Sequence, residues 1–101
     1  MFDNLLEKLE YEYSKWSNFV YAGSVSEAMS RAFELAYKRA LYQKLKDEYM
    51  NYTDSEIKML MNRKDVMNYI YLKLKDRKCL RLDNEKIPEE DFKIIKELIF
   101  K

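Results

Sequence analysis

The stretch LLEKLEYEYSKWSNFV, residues 5–20, decides how this chain folds. Leu5, Leu6, Leu9, Tyr13, Trp16, Phe19 and Val20 recur at steps of three and four, which gathers them on one face of a helix with 3.6 residues per turn. Glu7, Lys8, Glu10, Glu12 and Lys15 fall on the back of that helix. The spacing predicts a helix over residues 3–20 whose apolar stripe must be buried against other helices.

Outward from this stretch the signals stay helical. Gly23 supplies a break, and Ser24-Val25-Ser26-Glu27 reads as a capping box, in which the serine hydroxyl and the glutamate carboxylate satisfy each other's backbone amides. A second helix is expected over residues 25–47. Ala28, Ala32, Ala36 and Ala40 sit four apart beside Met29, Phe33, Tyr37, Leu41 and Leu45, a stripe of small residues that invites close helix packing and predicts a central position. Glu27 with Arg31, and Glu34 with Lys38, have the i, i+4 spacing of solvated surface pairs. A second capping box, Thr53-Asp54-Ser55-Glu56, opens a short helix that turns Ile57, Leu60 and Met61 inward and ends near Asn62. Another helix begins at Lys64 or Asp65 and continues to Asp76, burying Val66, Ile70 and Leu74 with Met67 and Tyr71 on its flank. Residues 77–87 lack helical period and are expected as a loop or one short strand near residues 79–82. A lone strand needs a partner, which keeps a homodimer in view. Pro88, followed by Glu89, Glu90 and Asp91, starts a last helix over residues 88–100 with Phe92, Ile95, Leu98 and Ile99 apolar.

Composition sets the limits. A length of 101 residues fits one core, so residues 1–101 are expected as a single helical domain, a compact all-α bundle of four or five helices. One glycine and one proline starve a β-sandwich or barrel of its turn formers. Zero histidines and one cysteine exclude His/Cys metal clusters, Ser-His-Asp or Cys-His catalysis and an internal disulfide. Nineteen basic and 18 acidic residues leave a net charge of +1, so no global field draws the molecule to phosphate. No run approaches the apolar length of a membrane span, and residues 1–10 lack the basic start and apolar centre of a signal peptide. A cytoplasmic protein is expected, in which Cys79 is an ordinary free thiol. No cofactor and no metal is expected.

Two groups of residues stand out as binding candidates. Aromatic side chains carry much of the energy of protein interfaces. Trp16, Phe19 and Tyr21 cluster at the end of the first helix, and Tyr11, Tyr42, Tyr49, Tyr52 and Tyr69 are too many for so small a core. Trp16, Phe19, Tyr21, Tyr42, Tyr49 and Tyr69 are therefore the candidate partner-binding set. The other group is the basic stretch 73–81, where Lys73, Lys75, Arg77, Lys78 and Arg81 oppose only Asp76 and follow Tyr69 and Tyr71. Basic groups beside aromatics suit nucleic acid, yet the acidic stretch 83–91 next to it is equally able to neutralise the charge. Glu89, Glu90 and Asp91 point in different directions from a helix start and suit its dipole better than acid–base catalysis.

Ala32-Phe33-Glu34, Lys38, the pair Ala40-Leu41, the box Thr53-Asp54-Ser55-Glu56, Leu60-Met61 and Val66 to Tyr71 together resemble a bacterial domain family of unknown function found in phage and conjugative-element neighbourhoods. The likeness spans roughly residues 5–74. It implies a mobile-element context and supplies no catalytic residue. The expected function is thus a non-enzymatic protein-binding accessory factor of a phage or mobile element. Such a factor would inhibit a host defence complex, as anti-CRISPR proteins do, with a host protein or protein complex as partner. The alternative is a small nucleic-acid-binding regulator acting through residues 73–81.

Overall fold

Asn4 begins the first helix by accepting the amide of Glu7 on its side-chain oxygen at 2.9 Å, as an N-cap does. Helix α1 then runs Leu5–Tyr21 in a computed structural model that describes residues 4–21, 23 and 31–100. Four more helices follow among these residues: α2 (Ala32–Asp47), α3 (Asp54–Asn62), α4 (Val66–Asp76) and α5 (Glu89–Phe100), with a 3-10 turn at Tyr49–Asn51. The all-α bundle expected from periodicity is therefore the fold. The Ser24 capping box, the Glu27–Arg31 pair, Ala28 and Met29 lie outside the described residues.

Each boundary has a local cause. Thr53 Oγ1 accepts the amide of Glu56 at 3.1 Å while Glu56 Oε1 accepts the amide of Thr53 at 2.9 Å, so the second capping box forms as read. The end of α4 falls at Asp76 without a glycine. Lys78 takes the left-handed conformation (φ 57°), the amide of Cys79 reaches the carbonyl of Leu74 and that of Lys78 reaches Lys75. These two bonds make a Schellman motif, a stop that glycine usually supplies. Pro88 precedes α5 and caps it with its carbonyl, which accepts the amides of Asp91 and Phe92. Glu89, one residue later than expected, is thus the first helical residue.

The core is built from Leu5 and Leu9 of α1, Tyr37, Leu41 and Leu45 of α2, Leu60 of α3, Val66, Ile70 and Leu74 of α4, and Phe92, Ile95 and Ile99 of α5. Helix α1 packs on α2, α3 and α4, whereas α4 packs on α1, α2 and α5. Helix α2 packs on α1, α4 and the 3-10 turn, so among the described residues α1, α2 and α4 share the centre. Ala32 and Ala36 are exposed, so among the described residues the alanine stripe expected to seat a neighbouring helix meets the core only at Ala40.

No strand forms at residues 79–82. Cys79, Leu80 and Leu82 pack half-buried on the core as a loop, and the only bridge among the described residues is the antiparallel Asp83–Lys86 pair. That bridge closes a tight turn in which Asn84 and Glu85 both have positive φ. The pairing is local, so this segment needs no second chain to complete it. No helix of the described residues is long and apolar enough to cross a membrane.

Candidate functional site

The face of α1 read as solvated carries one buried charge and, paired with it, a second that is largely covered. Lys8 is only 4% exposed and Glu12 is nearly as covered; they pair at 2.9 Å. Lys8 Nζ also donates to the carbonyl of Arg63, while the Glu12 carboxylate accepts the amides of Asp65 at 2.8 Å and Val66 at 3.1 Å. Glu12 thus serves as a cap for α4 from a distant helix, and the lysine holds the end of α3. Both residues keep step with Leu5, at three and seven positions beyond it, which places them towards the core rather than behind it.

One turn further along, the same pattern recurs on α2. Lys38, 2% exposed, pairs with Glu34 at 2.7 Å and donates to Asn68 Oδ1 at 3.0 Å. Its ammonium sits 4.0 Å from the centre of the Trp16 ring and 5.4 Å from that of Tyr71. Burial pulls its pKa below the ordinary lysine value, against the upward pull of the Glu34 carboxylate. The Glu34–Lys38 spacing had the form of a surface pair; the approach of Trp16 from α1 and Asn68 from α4 buries it.

Above this cation lies a cleft of about 300 Å³ between α1, α2 and α4. Tyr13, Trp16 and Phe19 form its aromatic side, and Lys15, Asp65 and Asn68 supply polar groups at its margin. Trp16 is half-buried and steadied by Lys38, whereas Phe19 is 70% exposed. Phe19 was expected to face inward. Near the end of α1 it stands out over the cleft instead, with no described helix covering it.

The candidate aromatic set is divided by the fold. Trp16 and Phe19 share the cleft. Tyr42 stacks on Tyr13 with ring centres 5.1 Å apart, and Tyr49 packs half-buried against the core. Tyr69 lies at another corner beneath the Arg63 guanidinium, 4.0 Å from its ring centre. Tyr21 ends α1, and its side chain lies outside the described residues. Tyr52, counted among the surplus tyrosines, is buried. Its hydroxyl donates to the carbonyl of Leu45 at 3.1 Å, and its ring meets Phe100 edge-on.

The basic stretch is divided as well. Arg81 donates to Asp91 at 2.9 Å and also pairs with Glu90, so the acidic neighbour does take up part of its charge. Asp91, read as a helix-start residue, is buried while it accepts from Arg81. Lys73 lies 5.7 Å from the Tyr69 ring centre, and Lys78 serves the Schellman turn. Lys75 and Arg77 are exposed and form no ion pair among the described residues.

Sequence reading missed Lys8, Glu12, Lys38, Asn68 and Arg63. For Lys8 and Glu12 a signal was present, since a charged i, i+4 pair in phase with leucines marks a pair directed at the core. No group of three or more acidic, cysteine or histidine side chains among the described residues is arranged to hold a metal ion. Comparison with protein-family models, curated proteins and solved structures gives no significant match, so the cleft is interpreted from its own chemistry.

Proposed function

We propose that this chain is a non-enzymatic protein-binding factor that docks on its partner through the Trp16–Phe19 cleft. In the mobile-element setting that the resemblance implies, it inhibits a host defence complex by covering a surface the complex needs. The observation that supports this reading is an exposed phenylalanine beside a half-buried tryptophan held in place by a buried cation. A fixed aromatic anchor loses little freedom on binding, and such anchors carry much of the affinity in protein interfaces.

The test is affinity capture of the tagged protein from a lysate of a phage-susceptible bacterium, treated with nuclease, beside a Phe19→Ala variant. Phe19 is largely solvated, so the variant keeps its fold. A defined protein should be retained by the parent chain, and its affinity should fall by about 2 kcal/mol, roughly thirtyfold in Kd, with Phe19→Ala. Retention of no protein, or equal retention by both chains, would count against the cleft.

The second reading, a nucleic-acid-binding regulator, draws on the exposure of Lys75 and Arg77 without ion-pair partners. Recovery of nucleic acid before nuclease treatment would favour it if binding weakens steeply with salt and with Lys75→Glu and Arg77→Glu.

A further inference from the structure

Away from the Trp16–Phe19 cleft, the corner between α3 and α4 faces the end of α5 across a groove of about 650 Å³. Its lining includes Met59, Arg63, Lys64, Tyr69, Ile99 and Phe100, with no acidic side chain. Neither Arg63 nor Lys64 has an ion-pair partner among the described residues. This sets them apart from Lys8, Lys38, Lys44 and Arg81, each of which is held by a carboxylate.

Arg63 is also held in place before any ligand arrives. Its carbonyl accepts the Lys8 ammonium, its guanidinium lies 4.0 Å from the Tyr69 ring centre, and its Nε is buried without a hydrogen-bond partner. A guanidinium steadied by an aromatic ring offers its N–H fork to an oxyanion at low entropic cost. The other end of the groove is apolar, with Met59 43% exposed beside Ile99 and Phe100.

We propose that this corner binds an acidic peptide segment of a partner protein, with one carboxylate on Arg63 and Lys64 and an adjoining apolar side chain against Met59 and Phe100. Charge complementarity selects the occupant. A nucleic acid needs a track of cations and an open ring on which to stack. Here the groove itself holds two adjacent cations, Arg63 and Lys64, and the Tyr69 ring is already engaged by Arg63 and approached by Lys73, which leaves no open ring for a base. The site is independent of the Trp16–Phe19 cleft and stands or falls separately from it.

The test uses the full chain and a fluorescein-labelled synthetic peptide of alternating glutamate and leucine, its glutamine–leucine counterpart, and an oligothymidylate. Anisotropy should show binding of the acidic peptide, at least about tenfold weaker with the glutamine peptide and with Arg63→Gln, and unchanged with Phe19→Ala. Backbone amide shifts in the parent chain should cluster at residues 59–69, a readout that does not depend on how well Arg63→Gln folds. Absence of binding, equal binding of the glutamine peptide, amide shifts elsewhere, or tighter binding of oligothymidylate at this corner would overturn the proposal.

Discussion

Replacing Glu12 by alanine should remove a large part of the stability of this protein, although the residue lies on what the sequence presents as a polar helix back. Its carboxylate accepts from the Lys8 ammonium and from the amides of Asp65 and Val66. Breaking a buried ion pair by deleting one partner costs about 3–5 kcal/mol, because the remaining charge stays in a poorly solvated place. Lys8 retains the carbonyl of Arg63, which argues for the lower half of that range, and the lost cap on α4 adds about 1 kcal/mol. The expected loss is therefore about 4–5 kcal/mol, against a total of roughly 5–15 kcal/mol for a domain. Glu12→Gln keeps an acceptor oxygen for the amides and should lose about half as much. The paired substitution Lys8→Met with Glu12→Leu removes the stranded charge and should recover at least half of the alanine loss. Urea unfolding followed by far-UV circular dichroism measures all three. A loss below about 1 kcal/mol for Glu12→Ala would refute the reasoning, since it would mean that water solvates Lys8 freely at this corner.

At the end of α4, Lys78→Gly should stabilise the fold by about 1 kcal/mol by relieving a side chain held at positive φ, and Lys78→Val should destabilise it; thermal unfolding midpoints that fail to move in these opposite directions would contradict the Schellman assignment. Burial raises the hydroxyl pKa of Tyr37, Tyr52 and Tyr71 above the ordinary value near 10, with nearby carboxylates adding to the effect. The folded state then holds these protons more tightly than the unfolded chain, so stability is complete below pH 10 and falls as pH rises above it. In an absorbance titration these three tyrosines should ionise after the exposed ones, together with loss of helix. Tyr37→Phe should weaken that alkaline dependence and lose nothing at neutral pH, because the hydroxyl is buried without a hydrogen-bond partner among the described residues. A loss above about 1 kcal/mol at neutral pH would reveal a partner for that hydroxyl.

Helix starts and stops were legible where their chemistry is local. Thr53 and Glu56 stand three residues apart and satisfy each other, so the pattern on the page is the pattern in space. The buried charges were legible only in part: Lys8 and Glu12 keep step with Leu5, but the groups that cover them are not written in their spacing. A glutamate four residues from a lysine has one spacing whether the pair faces water or a neighbouring helix, and the partners that bury Lys8 and Lys38 come from Arg63 and Asn68, 55 and 30 residues away. For the same reason Trp16 and Phe19, less than a turn apart on one helix, could be grouped from sequence. Arg63 and Tyr69 could not, because they meet only where the chain turns from α3 into α4.

These non-local polar contacts also explain how a surface of ordinary residues acquires a defined cleft. Leucine, isoleucine and tyrosine cores tolerate alternative helix registers, because apolar contact is not directional. Lys8 and Glu12 bind the backbone of residues 63–66 to α1, whereas Lys38 with Glu34 and Asn68 binds α2 to α4. Both clamps involve α4, and Trp16 of α1 rests on the second of them. Sliding α1 by one turn would strand a buried ammonium and two amides, so the register that positions Trp16 and Phe19 is selected against its neighbours by a cost of several kcal/mol, on the order of that for a broken buried pair. The charges thus act on the cleft without lining most of it: they set where its aromatic wall stands. It follows that Lys38→Met, which preserves much of the volume but lacks a charge to hold Glu34, Asn68 and Trp16, should loosen the wall and weaken partner binding even where Phe19 is untouched.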